Sequence, residues 1–407
     1  MSKVLVMNKM YIKRDIYLDK VKPFIGKDII KVLIGQRRVG KSYLLFQIMD
    51  EIRKQRPKAD IIYINKELSE FDEIKNHQDL LVYIKKHKRA KGKTYVFMDE
   101  IQDIEQFEKA LRSLKAQGRY DLYCTGSNAN LLSGELATYL SGRYLEIKIF
   151  SLSYVEFLQF HALKEDQDSF LKYIKYGGLP YLKNLTLDDL VVYDYLRSIY
   201  NTILLKDVVA RYNIRNISFL ENLVTYLADN IGSLVSAKRI SDFLKSQRVN
   251  ISPNVVLDYL SFLVAACFVA KVPRLDIQGK KVFEVNDKYY FTDLGLRHAI
   301  VGYQQIDINK VLENLVFQHL QVQGFKVRVG CLGDREIDFV AEKQDSRLYV
   351  QVAYHITEAN REREFGNLLS IKDNYPKLVV SADELIDKSE FKGIKQVHIR
   401  DFLSSQQ

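Results

Sequence analysis

The chain has 407 residues, 47% hydrophobic and 28% charged, with 61 Lys and Arg against 51 Asp and Glu for a formal charge of +10. That apolar share supplies cores for roughly two to four domains and excludes a disordered chain, while the basic surplus favours a polyanion partner without requiring one. The three cysteines, Cys124, Cys267 and Cys331, are odd in number and far apart, so they indicate neither a disulfide framework nor a zinc site and fit a reducing, cytoplasmic setting.

The start, Met1 to Tyr17, carries Lys3, Lys9, Lys13, Arg14 and Asp15 without a long apolar core, so neither a signal peptide nor a membrane anchor is expected there. The richest apolar stretch, Phe262 to Val272, is too short to span a bilayer, and no membrane partner is expected. Between Ile29 and Phe150, short β-branched runs alternate with amphipathic segments, the pattern of a parallel sheet with crossover helices. The predicted strands are Ile29 to Ile34, Ile61 to Ile64, Tyr95 to Met98, Leu122 to Thr125 and Tyr144 to Ile149. Helical periodicity follows the first at Leu44, Leu45, Ile48 and Ile52, and the third at Phe107, Leu111 and Leu114.

From Ser151 to about Asn216 the pattern is helical and rich in Tyr, Leu and Lys, broken at Gly177-Gly178-Leu179-Pro180, which suits a connector or lid. Next come predicted helices Ser218 to Asn230, Ser236 to Ser246 and Pro253 to Leu263, then two β-rich runs, Phe268 to Leu275 and Lys281 to Phe291. Three helices and a hairpin make a winged helix. Ser252 before Pro253, and Ser236 before Ala237, are cap signals for two of these helices. The tail reads helix (Val311 to Gln323), strands (Lys326 to Val329, Glu336 to Glu342, Leu348 to Tyr354), helix (Arg361 to Tyr375) and strand (Leu378 to Ser381), a second α/β unit. The expected domains are therefore 1–150, 151–216, 217–303 and 304–407.

Gly35-Gln36-Arg37-Arg38-Val39-Gly40-Lys41-Ser42 satisfies G-x-x-x-x-G-K-[ST] between an apolar strand and an amphipathic helix. Its glycines let successive amides face phosphate oxygens, and the helix start adds its positive dipole end. Lys41 is then expected to reach the β- and γ-phosphates of ATP, and the Ser42 hydroxyl to bind Mg2+. Tyr95-Val96-Phe97-Met98-Asp99-Glu100 supplies the complementary acids: Asp99 to hold Mg2+ through water, Glu100 to orient and polarise the attacking water. The fourth strand ends in Cys124-Thr125-Gly126-Ser127-Asn128, where Ser127 and Asn128 are candidates to sense the γ-phosphate, a capped turn being the alternative. Arg143, in Ser141-Gly142-Arg143 before the fifth strand, is a candidate to neutralise charge on the transferred phosphoryl group, within the chain or across a subunit contact.

GQRRVGKS, VFMDEIQ, CTGSNANLLS and SGRYLEIKIFSLSYVEF together resemble the AAA+ ATPases of bacteria and archaea that carry an extra C-terminal domain. The resemblance spans nearly the whole chain. It implies an AAA+ P-loop core, a winged helix and a tail similar to the restriction-endonuclease-like PD-(D/E)xK fold. It places the water-activating acid on Glu100 and the arginine finger or its equivalent on Arg143. In the tail, Glu313 matches the leading acid, Asp338 the acid on the next strand, and Gln351-Val352-Ala353 the E-x-K element. Ala353 stands where a Lys would steady the attacking hydroxide, so the expectation is a degenerate nuclease-like domain, its vestigial site Glu313, Asp338 and Gln351.

Lys238, Arg239, Lys245, Arg248, Arg274, Lys280 and Lys281 could meet DNA phosphates, but the helix from Pro253 to Leu263 is mostly apolar and turns Asp258 outward, a poor reader of bases. The expectation is an ATP-hydrolysing switch or motor coupled to DNA or to a protein, with nucleotide-dependent self-association a further candidate. The competing expectations are a metal-dependent nuclease regulated by the ATPase and a nucleotide-sensing scaffold without nucleic acid.

Overall fold

The computed structural model describes residues 11–89, 92–132, 142–279, 282, 286–383 and 390–405. It divides into two compact units, Met1–Ile149 and Phe150–Gln407.

The first unit is built on strands β1 (Ile30–Ile34), β2 (Asp60–Asn65), β3 (Thr94–Asp99), β4 (Tyr120–Gly126) and β5 (Tyr144–Lys148), with helices α1 (Asp15–Val21), α2 (Lys41–Gln55), α3 (His77–His87) and α4 (Phe107–Ala116). The strands lie in the order β2-β3-β4-β1-β5, every pairing parallel. The five predicted runs all form. Every residue of β1, β3 and β4 is buried, as strands covered on both faces require, whereas the edge strands β2 and β5 are partly open. Lys31 and Asp121 enter this core fully buried and paired, and the other Asp121 oxygen accepts from the Gly26 amide at 2.7 Å and the Tyr123 hydroxyl at 2.8 Å.

The second unit begins with helices α5 (Tyr154–His161), α6 (Gln167–Tyr176) and α7 (Asp189–Thr202), the last running on into a π-helical segment, Ile203–Ala210. The Gly177-Gly178 break is a packed turn. A Cβ on Gly177 would fall 2.3 Å from an Asp293 carboxylate oxygen, one on Gly178 would fall 2.5 Å from the Leu152 carbonyl, and Asp293 accepts the Gly178 amide at 2.9 Å. Helices α8 (Ile217–Asp229), α9 (Ala237–Ser246) and α10 (Pro253–Ala265) follow, and Ser236 and Ser252 cap the last two through their hydroxyls.

The expected hairpin after α10 forms only in part. β7 (Val269–Val272) and β9 (Asp287–Phe291) are antiparallel neighbours, with the short β6 (Leu234–Val235) on the other side of β9. The predicted run through Leu275 breaks at Pro273, which has no amide to donate and whose carbonyl accepts from Val329 at 3.0 Å. Beyond it, β8 (Arg274–Asp276) leaves that sheet and pairs in parallel with β10 (Lys326–Leu332). Lys280 and Lys281, expected on the wing, lie outside the described residues.

The tail contains helix α11 (Leu294–Val301), helix α12 (Ile308–Val322), β11 (Arg335–Lys343), β12 (Ser346–Ala353), helix α13 (Glu358–Leu369), β13 (Lys377–Ser381), β14 (Glu390–Phe391), β15 (Ile394–His398) and helix α14 (Ile399–Ser404). Its sheet runs β14-β15-β13-β12-β11-β10-β8, with β10, β11 and β12 antiparallel and β12, β13 and β15 parallel. The helix expected over 361–375 starts earlier, because Thr357 and Asn360 form a capping box, and stops at Leu369, short of Pro376. β14, β15 and α14 have no counterpart among the predicted elements; at two, five and six residues they are too short for either period to stand out.

Candidate functional site

The loop after β1 is shaped by its glycines. A Cβ on Gly35 would lie 2.2 Å from the Ile149 carbonyl, so only glycine lets the chain leave the strand there. Gly40 has φ of 93°, and it stands at the N-cap of α2 without any side chain capping the helix, so the first-turn amides remain available as donors. Lys41, buried at the helix start, donates to the carbonyls of Gly35 at 2.9 Å and Gln36 at 3.1 Å. From behind, the Arg14 guanidinium donates to the Val39 carbonyl at 2.9 Å while the Arg14 amide donates to Gln47 at 3.0 Å.

β3 delivers Asp99 and Glu100 to the same edge of the sheet. Asp99 is gripped on both oxygens: Thr125 donates to Oδ1 at 2.5 Å and Tyr63 to Oδ2 at 3.0 Å. Burial pushes its carboxyl above the usual range, helped by neighbouring Glu100, while nearby Ser42, Thr125 and Tyr63 act in the opposite direction. Glu100, at φ 54°, donates its amide to Thr125 at 2.9 Å. Its carboxylate takes the Gln102 amide at 2.5 Å and stands 3.6 Å from the Lys41 ammonium. Burial would raise the Glu100 carboxyl, but Lys41, Gln102 and Arg37 outweigh it and hold the group below the usual value.

Among the described residues, three buried side-chain atoms of this loop and of the turn after β3 have no hydrogen-bond partner, Gln36 Oε1 and Nε2 and Gln102 Oε1, while the Ser127 hydroxyl lies near enough to Glu100 to help lower its carboxyl. Desolvated polar atoms are costly unless something meets them, and most native ones are satisfied. A phosphate chain with its waters fits these groups: the loop amides, Gln36 Nε2 and Lys41 could donate to the phosphates, the carboxamide oxygens could accept from waters, and Ser42 with Asp99 could hold a divalent cation. The arrangement could then activate water at Glu100.

The remaining sequence candidates fall differently. Ser127 is buried beside Glu100, while Asn128 Oδ1 accepts the Asn130 amide at 2.8 Å and so caps the turn after β4. Arg143 is not brought to the site. It is exposed, and its carbonyl accepts the Ile30 amide at 3.0 Å at the start of β1, whereas the loop leaves the other end of that strand, about 16 Å away. Within its own chain Arg143 therefore stands at the opposite end of β1 from the phosphate loop. Ser141 lies outside the described residues. Sequence reasoning missed Tyr63, Gln102, Thr125 and Arg14. Thr125 ends β4 next to the acids, and the rule that parallel sheets place their ligands beyond the carboxyl ends of the strands could have found it; Tyr63, inside β2, carries no such signal.

The tail brings Glu313 (α12), Asp338 (β11) and Gln351 (β12) together. The Asp338 amide donates to Gln351 at 3.4 Å, and the Val352 amide donates to the Asp338 carboxylate at 2.8 Å. An ammonium from β9 fills the cluster: Lys288 Nζ is 2.9 Å from Glu313 and 2.8 Å from Glu336, and Tyr290 donates its hydroxyl to Glu313. Burial, reinforced by Glu313 and opposed by Lys288, drives the Asp338 carboxyl well above its usual value. Among the described residues no group of three or more His, Cys, Asp or Glu is arranged to hold a metal ion.

On the helix pair α9 and α10, Lys238, Arg239, Lys245 and Arg248 are exposed, whereas the open face of α10 presents Asn254, Leu257, Asp258 and Ser261. Arg274, the other basic candidate, is half-buried on β8, where its Nε donates to Cys331. Among the described residues no helix is long and apolar enough to cross a membrane.

Residues 27–158 match the AAA domain family and residues 167–307 match a domain of unknown function, DUF8612. An uncharacterized protein of Haemophilus influenzae is 40% identical over 405 residues, covering 98% of this chain and 100% of that protein. One from Methanocaldococcus jannaschii is 31% identical over 355 residues, covering 82% of this chain and 77% of that protein. Among solved structures, the Aeropyrum pernix ORC1 protein in complex with DNA gives a TM-score of 0.34 at 13% identity, covering 71% of this chain and 92% of that one. A Vibrio cholerae protein gives 0.21 at 12% identity, covering 93% and 96%. At such scores neither likeness bears on activity. The two relatives do bear on kinship: the chain belongs to the same family as the Haemophilus and Methanocaldococcus proteins, with an AAA domain at residues 27–158.

Proposed function

We propose that the chain binds Mg–ATP on the loop Gly35 to Ser42, hydrolyses it with Asp99 and Glu100, and passes the nucleotide state to a DNA or protein partner. The observation that carries this reading is the loop itself, with Lys41 buried at the start of an uncapped helix 3.6 Å from Glu100 and unpartnered buried atoms on Gln36 and Gln102. Lys41 would exchange the carbonyls it now holds for β- and γ-phosphate oxygens. Bound Mg2+ would supply neutralising charge to those oxygens. Ser42 and Asp99 would hold it, and Thr125 and Tyr63 would fix the Asp99 carboxylate. Glu100, ionised at neutral pH, would orient water for attack on the γ-phosphorus as the bond to the β-γ bridging oxygen breaks, releasing ADP and phosphate.

The helices α8 to α10 with the β6-β9-β7 sheet follow the winged-helix order, and the exposed Lys and Arg of α9 suit backbone phosphates, while the uncharged and acidic face of α10 suits no base code. ATP turnover by the pure protein, with and without DNA at several salt concentrations, tests the whole reading beside Lys41→Ala and Glu100→Gln. Turnover lost in both variants supports it; a parent that binds neither ATP nor ADP by calorimetry overturns it. Mass in solution with a nonhydrolysable ATP analogue tests self-association, the form in which Arg143 could reach a neighbouring site.

The nuclease alternative is disfavoured by Lys288, whose ammonium sits between Glu313 and Glu336. Incubation of DNA with Mg2+ or Mn2+ is expected to leave it intact. Cleavage abolished by Asp338→Ala would reverse that preference.

A further inference from the structure

We infer that Arg37, inside the phosphate loop, is the guanidinium that contacts the terminal phosphate from the same chain, and that Glu67 is the carboxylate it exchanges for that phosphate. This rests on the nucleotide reading above and adds to it the group that tells ATP from ADP.

The argument is geometric. Arg37 follows β1 and Glu67 follows β2, and in the order β2-β3-β4-β1 two strands lie between them. Three strand spacings are about 14 Å. Yet Arg37 Nη1 lies 3.2 Å from Glu67 Oε1, so the two side chains span the C-terminal edge of the sheet over β4 and β3. Asp99 and Glu100 emerge at that edge, and Glu100 feels the Arg37 charge. The guanidinium therefore lies across the acids on which the chemistry depends. Arg38 is exposed, at φ 71°, and Arg143 is at the far end of β1.

The two partners are unequally committed. The Arg37 side chain is 8% exposed, the Glu67 side chain 47%. An ion pair with one half-exposed member is weakly held, because water competes for the open carboxylate. A γ-phosphate brings more charge and two oxygens at the spacing a guanidinium fork matches, so it displaces Glu67. Glu67 has a place to return to, since its amide is tied to Asn65 Oδ1 at 2.9 Å. ADP has no γ-phosphate and leaves the Arg37–Glu67 pair in place.

The experiment is calorimetric titration of the full chain with ATP and, separately, ADP in magnesium buffer, using the parent, Arg37→Ala, Arg37→Lys and Glu67→Gln. Arg37→Ala is expected to lose about 10- to 100-fold in ATP affinity, the worth of a hydrogen bond to a charged group, with ADP affinity nearly unchanged. Arg37→Lys recovers part of the ATP preference, and Glu67→Gln tightens ATP but not ADP. Equal losses for both nucleotides in Arg37→Ala, or Glu67→Gln weakening ATP as much as Arg37→Ala does, would show a mere strut and overturn the inference while sparing the binding reading. A parent that binds neither nucleotide overturns both.

Discussion

At the end of β3, Glu100 stands 3.6 Å from the Lys41 ammonium, and the side-chain oxygens of Gln36 and Gln102 and the Gln36 nitrogen are buried without a hydrogen-bond partner. In the tail, Glu313 takes the Lys288 ammonium at 2.9 Å and the Tyr290 hydroxyl as well, Glu336 shares the same ammonium, and Asp338 takes a backbone amide. Both places gather carboxylates next to a lysine inside a unit. They differ in whether the surrounding groups are already satisfied. Unmet polar atoms are a cost that a ligand can offset, so the first centre has the signature of a binding site. In the second, Lys288, Tyr290 and a backbone amide already meet the carboxylates, and the cluster ties β9 to α12 and β11.

The contrast can be broken from either side. The largest effect is expected from Glu100→Gln, which keeps the shape and removes the base: ATP turnover should fall about 100- to 10,000-fold while ATP binding persists, read by single-turnover phosphate release and calorimetry. Next is Lys288→Met, which leaves Glu313 without its ammonium; urea unfolding should show a loss of about 3–5 kcal/mol with ATP affinity unchanged. A variant as stable as the parent would mean that the tail cluster is not framework at all.

A pH series sharpens the same comparison. Burial pushes His319 down to about 4 and His298 to about 3, with the Arg297 charge helping in the latter, and His161 to about 4 through burial and Lys183. All three lie in the second unit and are neutral when folded, whereas the unfolded rings titrate near 6.5. Stability from them is present above about pH 6.5 and drains as pH falls toward 4, because the unfolded chain then binds more protons. Unfolding midpoints followed by hydrogen exchange should therefore drop in residues 150–407 between about pH 7 and about pH 5. A midpoint constant over that range would contradict the burial of the rings. The smallest effect is expected from Thr125→Val, which removes one bond from Asp99: about tenfold weaker Mg2+ dependence of turnover, with ATP binding without metal unaltered.

The parallel sheet of the first unit was readable because its central strands are buried on both faces, so continuous apolar runs mark them; the loop motif and Asp99-Glu100 then sit at the strand ends. Lys31 in β1 and Asp121 in β4 contradict that pattern locally, and only their mutual contact explains why both are tolerated. The tail was readable as α/β but not in its edges, since β14 and β15 depend on pairing with neighbours rather than on a period of their own. Gln351 and Ala353 depart from a nuclease pattern in the sequence itself, yet nothing in the spacing of Lys288, far upstream, marks it as the ammonium in that cluster.

Local chemistry alone determined the phosphate loop, whose glycines, lysine and serine must be contiguous to turn one stretch of backbone around an anion, and the acids at the end of the third strand. Only the tertiary structure decided which charges meet across strands: Arg37 with Glu67, Tyr63 and Thr125 with Asp99, Lys288 with Glu313, and Arg143 with none of them. The physical reason is that strand order, not sequence distance, sets which side chains share an edge of the sheet, and the order β2-β3-β4-β1-β5 brings together residues that the chain keeps apart.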